Sequence, residues 1–176
     1  MGKQYKELSH FDMNFIKEQK VFFIASCSSK EVNLSPRGYK SIYIQDSTTL
    51  YMIDYLGSGN RTQRDINEDG EITLMFTAFE SKPKILRCFC KGACLDKDSN
   101  AFKEASLFFN EDMNAVRYIL KFTLYAVESS CGMSVPLMQY QEDRTELREY
   151  ALDMHKQGKF EDYVQEHKVP VNLKKL

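Results

Sequence analysis

No run of apolar residues in this 176-residue chain approaches the length of a membrane-spanning helix. The first residues, MGKQYKELSHF, have no apolar core of a secretory signal, and Lys6 stands where a myristoylation motif wants Ser or Thr. The formal net charge is only -1, so the broad basic surface of a general nucleic-acid binder is absent. Histidine is scarce: His10, His155 and His167 are scattered and lie outside the expected strands, and no Ser-His-Asp or Cys-His arrangement can be argued from position. The five cysteines (Cys27, Cys88, Cys90, Cys94 and Cys131) are an odd count at irregular spacing. Cys88, Cys90 and Cys94 share a strand face, which makes a poor tetrahedral cage, and no second ligand pair follows at zinc-like spacing. They read as small buried side chains, and no metal site is expected. Without an export signal the thiols are expected to be reduced, in a cytoplasmic protein with no membrane and no nucleic-acid partner.

Apolar residues make up 43% and charged residues 28%, enough for a sizeable core in one domain spanning 1–176. An N-terminal helix occupies about 1–20, where Ser9 can cap a segment running to about Gln19 with Phe11, Phe15 and Ile16 on one apolar face. Residues of about 21–130 read as strands: VFFIASC, VNLSPRG (closed by a Ser-Pro-Arg-Gly turn), SIYIQD, TLYMID, EITLMFTAF, KILRCFCKGACL and VRYILKFTLYAVES. In the last of these, Tyr118, Leu120, Phe122, Leu124 and Ala126 take one side by alternation. NAFKEASLFFN reads as a helix with Ala101, Ala105 and Phe108 on one face. About 131–176 form a helical extension, broken at Gly158. No internal repeat and no low-complexity segment interrupts the chain. Short strands punctuated by few helices imply a mainly β fold with flanking helices, a small antiparallel barrel, and the regular strand-helix alternation of a doubly wound sheet is missing.

One stretch between strands, DYLGSGNRTQRDI (54–66), has the composition of a phosphate loop. It is not a dinucleotide fingerprint, because Thr62 stands where the third glycine belongs, and it lacks the Gly-Lys-Ser or Gly-Lys-Thr ending of a Walker motif. A loop bringing backbone amides to a phosphate and an ordinary strand-to-helix turn both fit it. Arg87 is the second candidate. By alternation it shares a face with Ile85 and Phe89, and a guanidinium there needs an anionic ligand or an ion pair.

Taken in order, FIKEQKVFFIAS, VNLSPRGY, DYLGSGNRT, GEITLMFTAFE, PKILRCFCKG and SCGMSVPLMQYQEDR resemble the pyridoxamine 5'-phosphate oxidase-like family of flavin-binding split barrels. The resemblance implies a six-stranded Greek-key split β-barrel with C-terminal helices. It implies a homodimer, with FMN held non-covalently at the subunit interface. On that footing the strand with Asn33 would run along the flavin and bring Ser35 and Arg37 near its ring or phosphate. Asp54, Tyr55, Ser58, Gly59 and Asn60 would border the ribityl phosphate. Arg61 would make that site more basic than usual, since the family often has an acidic residue there. Arg87 would reach the flavin from the next strand, and residues around Cys131 to Met133 would approach from the other subunit. Arg37 stands where the related proteins commonly have Lys, and Met133 where an aromatic is common. The Arg-x-His segment of true pyridoxamine phosphate oxidases is missing, so vitamin B6 oxidation is not implied. The function that follows is an FMN-dependent oxidoreductase acting on an unidentified small molecule, with no catalytic side chain assigned. The same barrel would also suit a non-catalytic flavin- or haem-binding protein, or a deazaflavin-dependent reductase.

Overall fold

The computed structural model describes residues 2–28, 31–57 and 59–175. Among them eight strands form one sheet: β1 (Lys3–Tyr5), β2 (Phe22–Cys27), β3 (Asn33–Arg37), β4 (Ile42–Ile44), β5 (Thr49–Tyr55), β6 (Glu71–Thr77), β7 (Ile85–Leu95) and β8 (Val116–Ser130). Every pairing is antiparallel. The order is β3-β2-β6-β7-β8-β5-β4, with β1 added alongside β8. Five helices, α1 (His10–Glu18), α2 (Arg61–Asn67), α3 (Asn100–Ser106), α4 (Glu146–Lys156) and α5 (Phe160–Glu166), pack around it.

Topology alone forces this sheet to curl. β3 and β4 lie at opposite edges, yet only residues 38–41 join them in sequence. A link of that length spans at most roughly 18 Å, whereas the edges of a flat seven-strand path would stand about 29 Å apart. The sheet therefore rolls into a barrel split between β3 and the β4–β5 edge. The link needs a tight reversal, supplied by Tyr39 and Lys40 with φ of 62° and 52°. The left-handed region is uncommon for residues other than glycine. The chain turns here, after Arg37, and Ser35, Pro36 and Arg37 themselves belong to β3. The expected Ser-Pro-Arg-Gly turn is thus displaced by a few residues.

The barrel interior is filled by alternate residues of the strands, among them Ile24, Met52, Leu74, Phe76, Leu86, Cys88, Cys90 and Phe122, all fully buried. Burial raises the Cys88 thiol to about 12, as expected for a core thiol. A second apolar cluster lies outside the sheet, where α3, α4 and α5 place Phe102, Ala105, Ala151, Phe160 and Val164 against Ile53, Val116 and Ile119. The helices thus cover the outside of the β5–β8 half and leave the outside of β3, β2, β6 and β7 uncovered by helix.

Several expectations need correction. The strands number eight, not the six implied by the resemblance: the seven segments read as strands all form, and the three-residue β1, polar and without apolar alternation, adds one more. In β8 a bulge opposite Phe89 and Cys90 inserts Tyr125, so the inward position passes to Val127 and Ala126 turns out. In α3 the buried residues are Phe102 and Ala105, and Ala101 faces solvent. In α1 Phe11 is 82% exposed, because the helix turns Asp12 inward instead. The break between α4 and α5 falls at Gly158, with φ 69°, as expected.

Asp12 explains that rotation. It completes a capping box with Ser9, accepts from Tyr5 Oη at 2.9 Å and receives Lys84 Nζ at 2.8 Å. Burial pushes its carboxyl upward, but the hydrogen bonds from Lys84, Ser9 and Tyr5 outweigh burial and hold it below the usual carboxylate range. A carboxylate held low contributes stability above its unfolded value and loses that contribution as pH falls through the lower folded value. The melting temperature should accordingly decline from about pH 4 downward. Asp12→Asn should melt lower at neutral pH and show a shallower acid decline. Parallel acid slopes for the two proteins, in melts followed by circular dichroism, would contradict this assignment.

Candidate functional site

Where the sheet fails to close, a cleft of about 510 Å³ opens. β3 lines it with Asn33, Ser35 and Arg37, the 38–41 link with Tyr39 and Ser41, and β5 with Asp54 and Tyr55. The loop after β5 contributes Gly57 and Gly59, α2 contributes Arg61 and Thr62, and β8 contributes Arg117. Residues from both lips of the split thus meet here because the barrel brings its two edges together.

Asp54 is the electrostatic centre of the cleft. Arg117 Nη2 donates to its Oδ2 at 2.6 Å and Nε to the same oxygen at 3.2 Å, while Arg37 Nη2 stands 3.4 Å from Oδ1. The remaining donors of Arg117 reach the carbonyls of Gly57 and Gly59, each at 2.9 Å. Arg117 is 4% exposed and makes four hydrogen bonds. Arg37 is different: its contact to Asp54 is looser, and its buried Nε has no partner among the described residues. Two guanidinium groups against one carboxylate leave one positive charge in surplus, and it resides on the less committed side chain.

Arg61 is already engaged. Its Nε lies 2.9 Å from Glu31 Oε1, which also takes Arg64 Nη1 at 2.7 Å. Hydrogen bonds from Arg64, together with those from its own backbone and Arg61, hold the Glu31 carboxyl down at about 2. Asn33 donates to Thr62 Oγ1 at 3.0 Å and accepts from Ser35 Oγ at 3.3 Å, tying β3 to α2 across the cleft. Besides Arg37 Nε, two other buried polar atoms of the lining lack partners among the described residues: Ser41 Oγ and the Tyr55 hydroxyl. Burial raises the Tyr55 hydroxyl to about 12, so it remains a neutral donor near neutral pH. A Cβ at Gly57 or Gly59 would meet nothing within 4 Å, and neither has a positive φ. Open space beside the backbone, rather than backbone conformation, is therefore what glycine provides there.

The cleft gathers Asn33, Ser35, Arg37, Asp54, Tyr55, Gly59 and Arg61 of the residues singled out from sequence. Ser58 lies outside the described residues. Asn60 adjoins the cleft without lining it: its side chain is buried and its amide donates to the carbonyl of His167. Arg87 stands apart, on the outer face of β7, where Nη1 pairs with Glu128 at 3.3 Å and with Ser130 Oγ at 3.2 Å. Cys131 and Met133 are exposed beyond the end of β8. Arg117 had no sequence signal. It is the extra residue of a bulge, since Asp54 pairs with Tyr118 and Tyr55 with Val116, and the bulge re-aims its side chain. Among the described residues no group of three or more His, Cys, Asp or Glu is arranged to hold a metal.

An arrangement of this kind suits an anionic ligand with further hydroxyl or carbonyl groups: a surplus guanidinium, unpartnered hydroxyls and an open glycine backbone. No family model matches the chain. It is, however, 26% identical over 166 residues to the curated pyridoxamine 5'-phosphate oxidase family protein ustO of Aspergillus flavus, covering 90% of this chain and 67% of that protein. The resemblance is to the pyridoxamine 5'-phosphate oxidase family. Solved structures agree on the fold. A Lactobacillus delbrueckii protein provisionally named a pyridoxamine 5'-phosphate oxidase superposes with a TM-score of 0.55 at 13% identity, over 70% of this chain and 98% of that one. An FAD-binding protein from Mycobacterium smegmatis does so with a TM-score of 0.51 at 7% identity, over 72% and 97%. As a chain resembling the pyridoxamine 5'-phosphate oxidase family, it is mainly β with flanking helices, built on the strongly curled sheet described above.

Removing the carboxylate at the centre of this cleft leaves a buried guanidinium without its counter-charge. Asp54→Ala should destabilise the protein by about 3–5 kcal/mol, visible as an early denaturant midpoint. Loss below ~1 kcal/mol would mean that Asp54 is not the group that holds Arg117.

Proposed function

We propose that the cleft binds FMN and that the protein is a flavin-dependent oxidoreductase acting on a small organic molecule. The observation that carries this reading is a cleft with one surplus positive charge in which the buried Arg37 Nε and Ser41 Oγ have no partner among the described residues. Buried polar atoms without partners are costly, and a ligand bearing a phosphate and several hydroxyls supplies them. The family resemblance points the same way. In this reading Arg37 meets the phosphate and the open backbone at Gly59 lets it approach, while Ser41 and Tyr55 serve the polar groups beyond. A bound flavin supplies the redox chemistry, and the chain supplies binding, orientation and exclusion of water.

The purified protein should show the two-band visible absorbance of an oxidised flavin, released on denaturation. A haem or deazaflavin spectrum would replace the FMN reading. Arg37→Met should weaken FMN binding by roughly ten- to a hundredfold, the loss expected for a charge-assisted hydrogen bond. Gly59→Val should weaken it without lowering the melting temperature of the apo-protein, because its side chain enters open space. Unchanged affinity in both variants, measured by flavin fluorescence quenching, would remove this cleft from consideration.

A homodimer belongs to the same proposal, with a second copy covering the outer sheet face that the helices leave bare. The strand registers support it. They align Leu34, Ala25, Thr73, Phe89 and Ala126 in one cross-strand row, and Pro36, Phe23, Met75, Arg87 and Glu128 in the next. Leu34 is 66% exposed and Phe23, Met75 and Phe89 are half-buried, an apolar stripe on a sheet face. The exposed Met133 segment suits contact with the partner's cofactor. Sedimentation should give a dimer at micromolar concentration, and Phe23→Arg combined with Met75→Arg should give monomers. A wild-type monomer with flavin bound would defeat the dimer.

A further inference from the structure

We infer that Arg117 is the positioning residue of the cofactor cleft: it fixes the carbonyls of Gly57 and Gly59 for the phosphate without touching the ligand itself. The inference rests on the flavin reading above and adds a division of labour between two arginines.

All three nitrogens of Arg117 donate, in four hydrogen bonds. It grips one oxygen of Asp54 with two nitrogens and takes one carbonyl each from Gly57 and Gly59. It is almost wholly buried, so little of its charge is available to an incoming anion. Its effect on the loop is geometric. A peptide unit is planar, with its C=O and N–H directed to opposite sides. With the Gly59 carbonyl turned toward Arg117, the amide N–H of Asn60 is turned away from it. Two carbonyl dipoles, which would repel a phosphate, are thereby withdrawn from the cleft and satisfied.

Asp54 makes the clamp possible, since a buried guanidinium needs a counter-ion. Its other oxygen, Oδ1, only loosely restrains Arg37, whose Nε is buried and unpartnered. Arg117 is thus fixed and spent, and Arg37 is held nearby and available. The bulge in β8 that brings Arg117 to this point has a clear consequence under this account. It breaks the strand's regular pairing beside Asp54 and Tyr55 in order to deliver one side chain to the loop. Bulges that re-aim a side chain are characteristic of functional sites.

A residue that positions the phosphate loop must affect ligands with a phosphate and spare those without one. FMN and riboflavin differ by that group alone, so the ratio of their dissociation constants isolates the loop. Arg117→Lys keeps the charge against Asp54 but cannot reach both carbonyls with a planar fork. Its FMN dissociation constant should rise roughly ten- to a hundredfold, with that for riboflavin changed by less than about twofold. The double variant Asp54→Asn, Arg117→Gln removes both charges together and gives a second, neutral test of the same ratio if lysine is poorly tolerated. It should also lose FMN selectively. Equal losses for FMN and riboflavin, or no loss of FMN in a folded variant, would overturn the positioning role while leaving the flavin reading intact. Failure of the wild-type protein to bind either flavin would overturn both.

Discussion

The four-residue passage from β3 to β4 is the constraint on which the rest of the architecture depends. Because it joins the two outermost strands of the main path, the sheet cannot remain open, and because it is short, it brings the lips of the split close together. That single closure creates the interior packed by Phe76 and Phe122 and the cleft where β3 faces β5. It also explains the left-handed Tyr39 and Lys40, which turn the chain in a space too tight for a relaxed loop. Tyr39 is then held by its neighbours: its ring meets Tyr55 edge-on at 5.3 Å and lies under the Arg148 guanidinium at 4.4 Å. A sterically unfavourable turn is thereby locked by stacking from α4.

Within the cleft, charge is distributed by commitment rather than by count. Arg61 and Arg64 are absorbed by Glu31 and Asp65, and Arg117 by Asp54 and two carbonyls. Of these four arginines, Arg37 alone keeps a buried nitrogen without a partner among the described residues. Mere proximity of several arginines would suggest a strongly attractive anion site, whereas the pairings reduce it to one directed group.

Much of this was legible in the sequence, for physical reasons that can be named. A strand with clear alternation, such as β6, declares itself because Ile72, Leu74 and Phe76 are buried on one face. The Gly-Ser-Gly-Asn loop stood out by composition, because two glycines flanked by polar residues leave the backbone open to a ligand. What alternation cannot show is a change of phase. The bulges in β8 hid both Arg117 and the switch from Ala126 to Val127, since nothing local marks an inserted residue. Similarly, Asp12 faces inward and Phe11 outward because distant partners, Tyr5 and Lys84, reward a carboxylate at that place. Arg87 was recognised as needing an anion, and Glu128 from the neighbouring strand meets that need. A pairing between strands far apart in sequence leaves no trace in either one.

The place of β8 between β7 and β5 has a bearing on how the molecule assembles. The hairpins β2–β3, β4–β5 and β6–β7 can form from neighbouring or near-neighbouring segments, but among the described residues β4–β5 is hydrogen-bonded into the sheet through β8 alone. Residues 116–130 are the keystone that arrives late, after more than half the chain. Until they insert, the apolar faces of Leu50 and Met52 have no opposite wall in the form of Leu120 and Phe122. Pairings of such long sequence separation carry a large loop-closure cost and slow folding. The pairing of β5 with β8, roughly 70 residues apart in sequence, is therefore the contact that sets the loop-closure cost of the barrel.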